Sequence, residues 1–78
     1  MVTLYIGGLV PQFDEDRLTG LFGAFGELTQ TRLITNADGS CRGFAYVTFA
    51  CDLAAARARV GLNGKEIDGQ VLRVALAT

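Results

Sequence analysis

The stretch CRGFAYVTF, residues 41 to 49, decides the fold. Read at the two-residue period of a strand, it sends Arg42, Phe44, Tyr46 and Thr48 to one face and Gly43, Ala45, Val47 and Phe49 to the other. A face covered by other elements must be free of charge, because an unpaired buried guanidinium is costly. The set with Gly43 and Ala45 meets that condition and is small enough to admit close helices. Arg42, Phe44 and Tyr46 therefore face outward.

The rest of the chain supplies partners for this strand. VTLYIGG at the N-terminus is a strand with Leu4 and Ile6 on one face and Tyr5 on the other. Asp14 is a good N-cap, with Glu15 and Asp16 in the first turn where the helix dipole favours acids. Leu18, Leu21, Phe22 and Phe25 then repeat at helical spacing, and Phe13 can staple onto Leu18. Gly26 is expected to end this helix, and Gly20 and Gly23 inside it each cost up to about 1 kcal/mol relative to Ala.

LTQTRLI is a second strand, and the Asp38-Gly39 pair marks the turn into residues 41 to 49. Asp52 is the expected cap of a second helix reaching about Leu62. Its buried stripe is Ala55, Ala58 and Leu62, but Arg59 interrupts it. Either the Arg59 stem snorkels outward, or the helix turns Leu53, Ala56 and Val60 inward. KEIDG reads as a turn-rich connection, and QVLRVALA as the last strand, with Leu72, Val74 and Leu76 alternating against Val71, Arg73 and Ala75.

The order strand, helix, strand, strand, helix, strand is the split arrangement of the ferredoxin-like α+β architecture. Two right-handed crossovers interleave and place strands one and three in the middle of a four-stranded antiparallel sheet. Both helices cover one face and leave the other open. With 78 residues the chain is read as a single domain spanning residues 1–78.

The open face then collects chemistry. The parity that turns Leu4 and Ile6 inward turns Tyr5 out beside Phe44 and Tyr46. With Leu33 inward, the same parity puts Arg32 and Arg73 on that face with Arg42. The net charge of −1 is a poor footprint for nucleic-acid binding, but totals hide placement. Asp14, Glu15, Asp16, Asp52, Glu66 and Asp68 fall on helices and connections, so the face is locally basic. Rings to stack bases and guanidinium groups to meet phosphates are what a single-stranded nucleic acid requires.

At these residues the chain resembles the RNA recognition motif family over essentially its whole length. The family octamer reads Lys or Arg, Gly, aromatic, Gly or Ala, Phe, Val, any residue, aromatic. RGFAYVTF matches at Arg42, Gly43, Phe44, Ala45, Val47 and Phe49, with Tyr46 in place of Phe. At average residue frequencies such a match arises on the order of once per million start positions. LYIGGL, residues 4 to 9, is similar to the family's hexamer, with Tyr5 at the stacking position. Gly8 stands where an Asn is common, which predicts a looser loop. The resemblance implies binding of single-stranded RNA, or single-stranded DNA, across the sheet. Tyr5 and Phe44 each stack on a base, Tyr46 packs between sugars or on a further base, and Arg42 pairs with a phosphate. Arg32 and Arg73 are supporting candidates by parity.

The alternative is a protein-interaction module whose sheet face or helices bind a protein or self-associate, since an exposed aromatic patch marks an interaction site of some kind. An enzyme is not expected: the chain has no His, no clustered carboxylate pair and no CxxC spacing. Neither a metal nor a cofactor is implied. A monomer is expected, with weak self-association as the variant. No apolar run approaches the ~20 residues of a membrane span. Cys41 and Cys51 lie at opposite ends of a strand, too far apart for a disulfide. Reduced thiols fit an intracellular setting, cytoplasmic before nuclear.

Overall fold

The computed structural model describes residues 1–77. Its elements are β1 (Val2–Gly7), α1 (Glu15–Gly23), β2 (Leu28–Thr35), β3 (Cys41–Phe49), α2 (Asp52–Leu62), β4 (Glu66–Ile67), β5 (Gln70–Val71) and β6 (Arg73–Leu76). The main sheet is four-stranded in the order β2-β3-β1-β6, and each neighbouring pair is antiparallel. α1 packs against β2, and α2 against β1, β3 and β6. This is the expected ferredoxin-like arrangement, with both helices on one face.

The core is the face chosen by charge and size. Leu4, Ile6, Ala45, Val47 and Phe49 of the central strands are fully buried, as are Leu18 and Phe22 of α1 and Ala58 of α2. Each large side chain of this kind contributes roughly 1.5–3 kcal/mol by leaving water. Phe13 is buried in the same cluster as Leu18, as a hydrophobic staple requires. The Asp14 carboxylate accepts a 2.8 Å hydrogen bond from the Arg17 amide and caps α1.

The second helix adopts the first of the two rotations left open by the sequence. Ala54, Ala55, Ala58 and Leu62 are buried, whereas Leu53, Ala56, Arg59 and Val60 face outward. Alanines on the buried side bring α2 close to the sheet, so Arg59 needs no burial. Asp52 is the first helical residue and not the cap: Cys51 holds the N-cap position with no side-chain bond. The exposed Asp52 carboxylate acts through the helix dipole and through an ion pair with the Met1 ammonium at 3.6 Å.

Gly26 also differs from expectation. α1 ends at Gly23 with Ala24 as its C-cap, and a Cβ on Gly26 would lie 2.6 Å from the Ala54 Cβ. Gly26 is where the end of α1 meets α2, and bare backbone is needed for that approach. Gly61 likewise faces the Phe25 ring, 3.1 Å from where its Cβ would stand.

The segment read as a connection, KEIDG, contains half of a small hairpin. β4 and β5 pair antiparallel around Asp68-Gly69, both at positive φ (54° and 82°), the geometry of a primed hairpin turn. The last strand is shorter than expected, beginning at Arg73. Leu76 keeps inward parity opposite Leu4, yet it is 57% exposed at the last position of the edge strand β6. Cys41 is buried and Cys51 exposed, both as free thiols.

Gly20 offers a clean stability test. It lies inside α1, and nothing stands within 4 Å of where its Cβ would be. Gly20→Ala should therefore stabilise the fold by about 0.5–1 kcal/mol, mainly by restricting the unfolded chain. For a domain of this size that raises Tm by several degrees in a circular-dichroism melt. A lower Tm would contradict the free space around Gly20.

Candidate nucleic-acid interface

The open face is ordered by register into rows that run across the strands. One row is Arg32, Tyr46, Tyr5 and Ala75, each residue the direct partner of the next. To one side lie Phe44, Gly7 and Arg73; to the other, Gln30, Thr48 and Thr3. Directly opposed residues share a face, so all of these point away from the helices. Leu33 pairs with the buried Ala45, which satisfies the condition on which the placement of Arg32 rested.

The three rings form a nearly equilateral cluster. Centroid separations are 6.2 Å for Tyr5 and Phe44, 5.9 Å for Tyr5 and Tyr46, and 6.3 Å for Phe44 and Tyr46. Tyr46 meets its two neighbours edge-on, at 63° and 86°, in the tilted geometry that ring quadrupoles prefer. All three rings are half-buried, so each keeps a surface open to solvent.

Gly7 is part of this platform. A Cβ at position 7 would lie 2.6 Å from the Tyr5 hydroxyl, so the Tyr5 ring leans along its own strand over Gly7. Any side chain at residue 7 would displace that ring. Parity places Gly7 on the open face but does not say which way Tyr5 leans, and this role escaped the sequence reading. The sequence reading put Thr48 on this face but gave neither it nor Thr3, which shares the parity of Tyr5, a role. Their hydroxyls bond each other at 2.9 Å.

β2 is bulged between Leu28 and Gln30, where two steps of β2 oppose one step of β3. The bulge returns Leu28 to the inner face opposite Phe49 while Gln30 and Arg32 stay outside. A second irregularity sets four steps of β3 against two of β2 between Ala45 and Cys41, with Gly43 at φ 104°. The two extra residues preserve parity, so Cys41 remains buried and Arg42 exposed.

Arg42 stands beyond this bulge, outside the three rows. Its Nε donates to Asn36 Oδ1 at 3.1 Å, leaving the two terminal nitrogens of the fork for other acceptors. Asn36 is in turn fixed by Ser40, through its amide to the Ser40 carbonyl and its Nδ2 to the Ser40 Oγ. The Ser40 hydroxyl and amide both donate to Asp38, which holds that carboxyl below its usual range. The loop between β2 and β3 thus aims Arg42, through an Asn36 that parity could not reveal.

Arg32 and Arg73 are exposed and take part in no ion pair or side-chain hydrogen bond among the described residues. Arg17 is committed elsewhere. It lies 4.9 Å from the Phe13 ring centroid and bonds Asp68, which raises its pKa further and ties α1 to the β4-β5 hairpin. Beside Tyr46 the face sinks into an open depression of about 290 Å³ lined by Thr3, Gln30, Arg32, Tyr46, Thr48 and Ala77. Among the described residues no group of His, Cys, Asp or Glu is arranged to hold a metal, and no helix is long and apolar enough to cross a membrane.

Known proteins share both the sequence pattern and the fold. The chain is 40% identical over 76 residues to glycine-rich RNA-binding protein 4, mitochondrial, of Arabidopsis thaliana, covering 96% of this chain and 56% of that protein. It is thus little more than half as long as that relative. The crystal structure of RNA binding protein PG1 superposes with a TM-score of 0.92 at 35% identity, covering 99% of this chain and 94% of that one. RNA recognition domains 1 and 2 of Sex-lethal from Drosophila melanogaster give a TM-score of 0.94 at 26% identity, covering 100% of this chain and 50% of that one. The pattern described as RNA recognition motif matches residues 4–73, a span that holds the ring cluster, the three arginines and both helices, and the chain belongs to that family.

Proposed function

We propose that residues 1–78 act as one monomeric domain that binds single-stranded RNA across the open sheet face, without catalysis. The observation that carries this reading is the cluster of Tyr5, Phe44 and Tyr46 on a face that neither helix covers. Tyr5 and Phe44 each stack on a base, and Tyr46 packs on a sugar or a further base. Arg42, Arg32 and Arg73 meet phosphates or base edges around them. The names of the Arabidopsis protein and of PG1 as RNA-binding support the same choice.

The acids lie off this platform, so the overall charge of −1 does not oppose binding there. The electrostatic part is nevertheless small, because only these three arginines surround the rings. For single strands each phosphate neutralised contributes about −0.7 to the slope of log affinity against log salt, so three contacts predict about −2. Titrating a labelled mixed-sequence RNA octamer at several salt concentrations measures that slope. Absence of binding at low salt, together with dimers that grow with concentration, would favour a protein-interaction module instead. A matched DNA octamer in the same series tests whether the 2′-hydroxyl contributes.

A further inference from the structure

We infer that the depression beside Tyr46 is a guanine-reading subsite, with Arg32 addressing the base edge and Gln30 assisting it. This rests on the RNA-binding reading and specifies one nucleotide within it. The site is built from parts that suit a base. Its wall is the Tyr46 ring, and the hydroxyls of Thr3 and Thr48, bonded at 2.9 Å, lie opposite the β2 rim. The rim is Gln30 and Arg32, the direct strand partners of Thr48 and Tyr46. A phosphate alone would use only the guanidinium. A base can use the ring face and the polar edge together.

The choice among bases follows from counting donors. Arg32 presents up to five N–H groups in a planar fork, and it has no hydrogen-bond or ion-pair partner among the described residues. The Gln30 amide adds two donors and one acceptor atom. The two threonine hydroxyls spend one hydrogen on each other and keep the second free. Among the described residues no side-chain carboxylate lines the depression. Donors therefore dominate the rim. Guanine offers two adjacent acceptors, O6 and N7, that fit the fork of an arginine. Adenine presents an amino group beside its ring acceptors on either edge to the same donors and is disfavoured. Uracil offers O4 without an adjacent second acceptor, so it ranks between them.

Fluorescence-anisotropy titrations of labelled cytidine hexanucleotides test this, with a single G, U or A moved through each position. In the native chain the best G-containing oligomer should bind at least about fivefold tighter than the matching A oligomer, with U between them. Arg32→Lys keeps the charge but loses the fork, so it should bring the ratio of G-oligomer to A-oligomer affinity close to one, whatever happens to overall affinity. Gln30→Ala should reduce the preference by a smaller factor. Equal binding of all oligomers would overturn the subsite and leave RNA binding intact. A preference for G that survives in Arg32→Lys would also overturn it, because another residue would be reading the base. Binding of none of the oligomers, with the chain folded, would remove the RNA-binding reading itself.

Discussion

Tyr46→Ala is expected to weaken binding of a mixed-sequence RNA octamer by about tenfold or more. Tyr46 is the ring that both others meet edge-on, and it stands in the same row as Tyr5 and Arg32. Its loss removes one stacking surface and leaves Tyr5 and Phe44 without their shared neighbour. Stacking of a base on an aromatic side chain is worth about 1–3 kcal/mol by alanine substitution, and 1.4 kcal/mol is a factor of ten. Phe44→Ala should cost severalfold as well. Tyr46→Phe keeps the ring and should stay within about twofold of native, because among the described residues the Tyr46 hydroxyl makes no hydrogen bond that holds the platform together. All variants should keep the native far-ultraviolet spectrum, since the ring lies outside the core formed by Ala45, Val47 and Phe49. A folded Tyr46→Ala chain with native affinity would sink the stacking mechanism.

The face that carries these rings was legible in the sequence because one strand contains both a charge and very small residues. Arg42 cannot be buried cheaply, and Gly43 and Ala45 can lie under helices, so the two-residue period settled the rest. The same parity carried Tyr5, Arg32 and Arg73 to the open side. Other features depend on distances between elements, which periodicity does not contain. Gly26 follows a helix and looks like its cap, yet its role is set by Ala54 on another element. Leu76 has the parity of a core residue, but nothing in the alternation says that it is the last position of an edge strand. The strands on either side of Asp68-Gly69 are two residues each, too short for any period to register. The rows across the sheet required the register, and that is set by bulges on β2 and β3. Without them neither the depression beside Tyr46 nor the separation of Arg42 from the ring rows can be placed.

Gly8→Ala should be among the most destabilising single changes outside the large core side chains, by about 3 kcal/mol. Gly8 leaves β1 at φ 83°, and a Cβ there would lie 2.2 Å from the backbone carbonyl oxygen of Val71. Two costs therefore combine. The left-handed backbone is unfavourable by roughly 1 kcal/mol for a residue with a Cβ. The contact is with main chain and not with a side chain that can swing aside, so β5 or the loop after β1 has to move. The expectation of a looser loop at this point is reversed: the Leu9 amide bonds the Gly43 carbonyl at 3.0 Å, and Gly8 is wedged against Val71. A domain of this size has about 4–12 kcal/mol in total, so the loss is a large share of it. Gly8→Asn separates the two causes, because Asn tolerates left-handed φ far better than Ala but carries the same Cβ. If the contact with Val71 dominates, urea unfolding will show both variants destabilised by similar amounts. If Asn recovers most of the loss, backbone strain dominates and the neighbouring strand yields easily. Native stability in both variants would mean that the close approach between β1 and the β4-β5 hairpin is not a constraint on the fold.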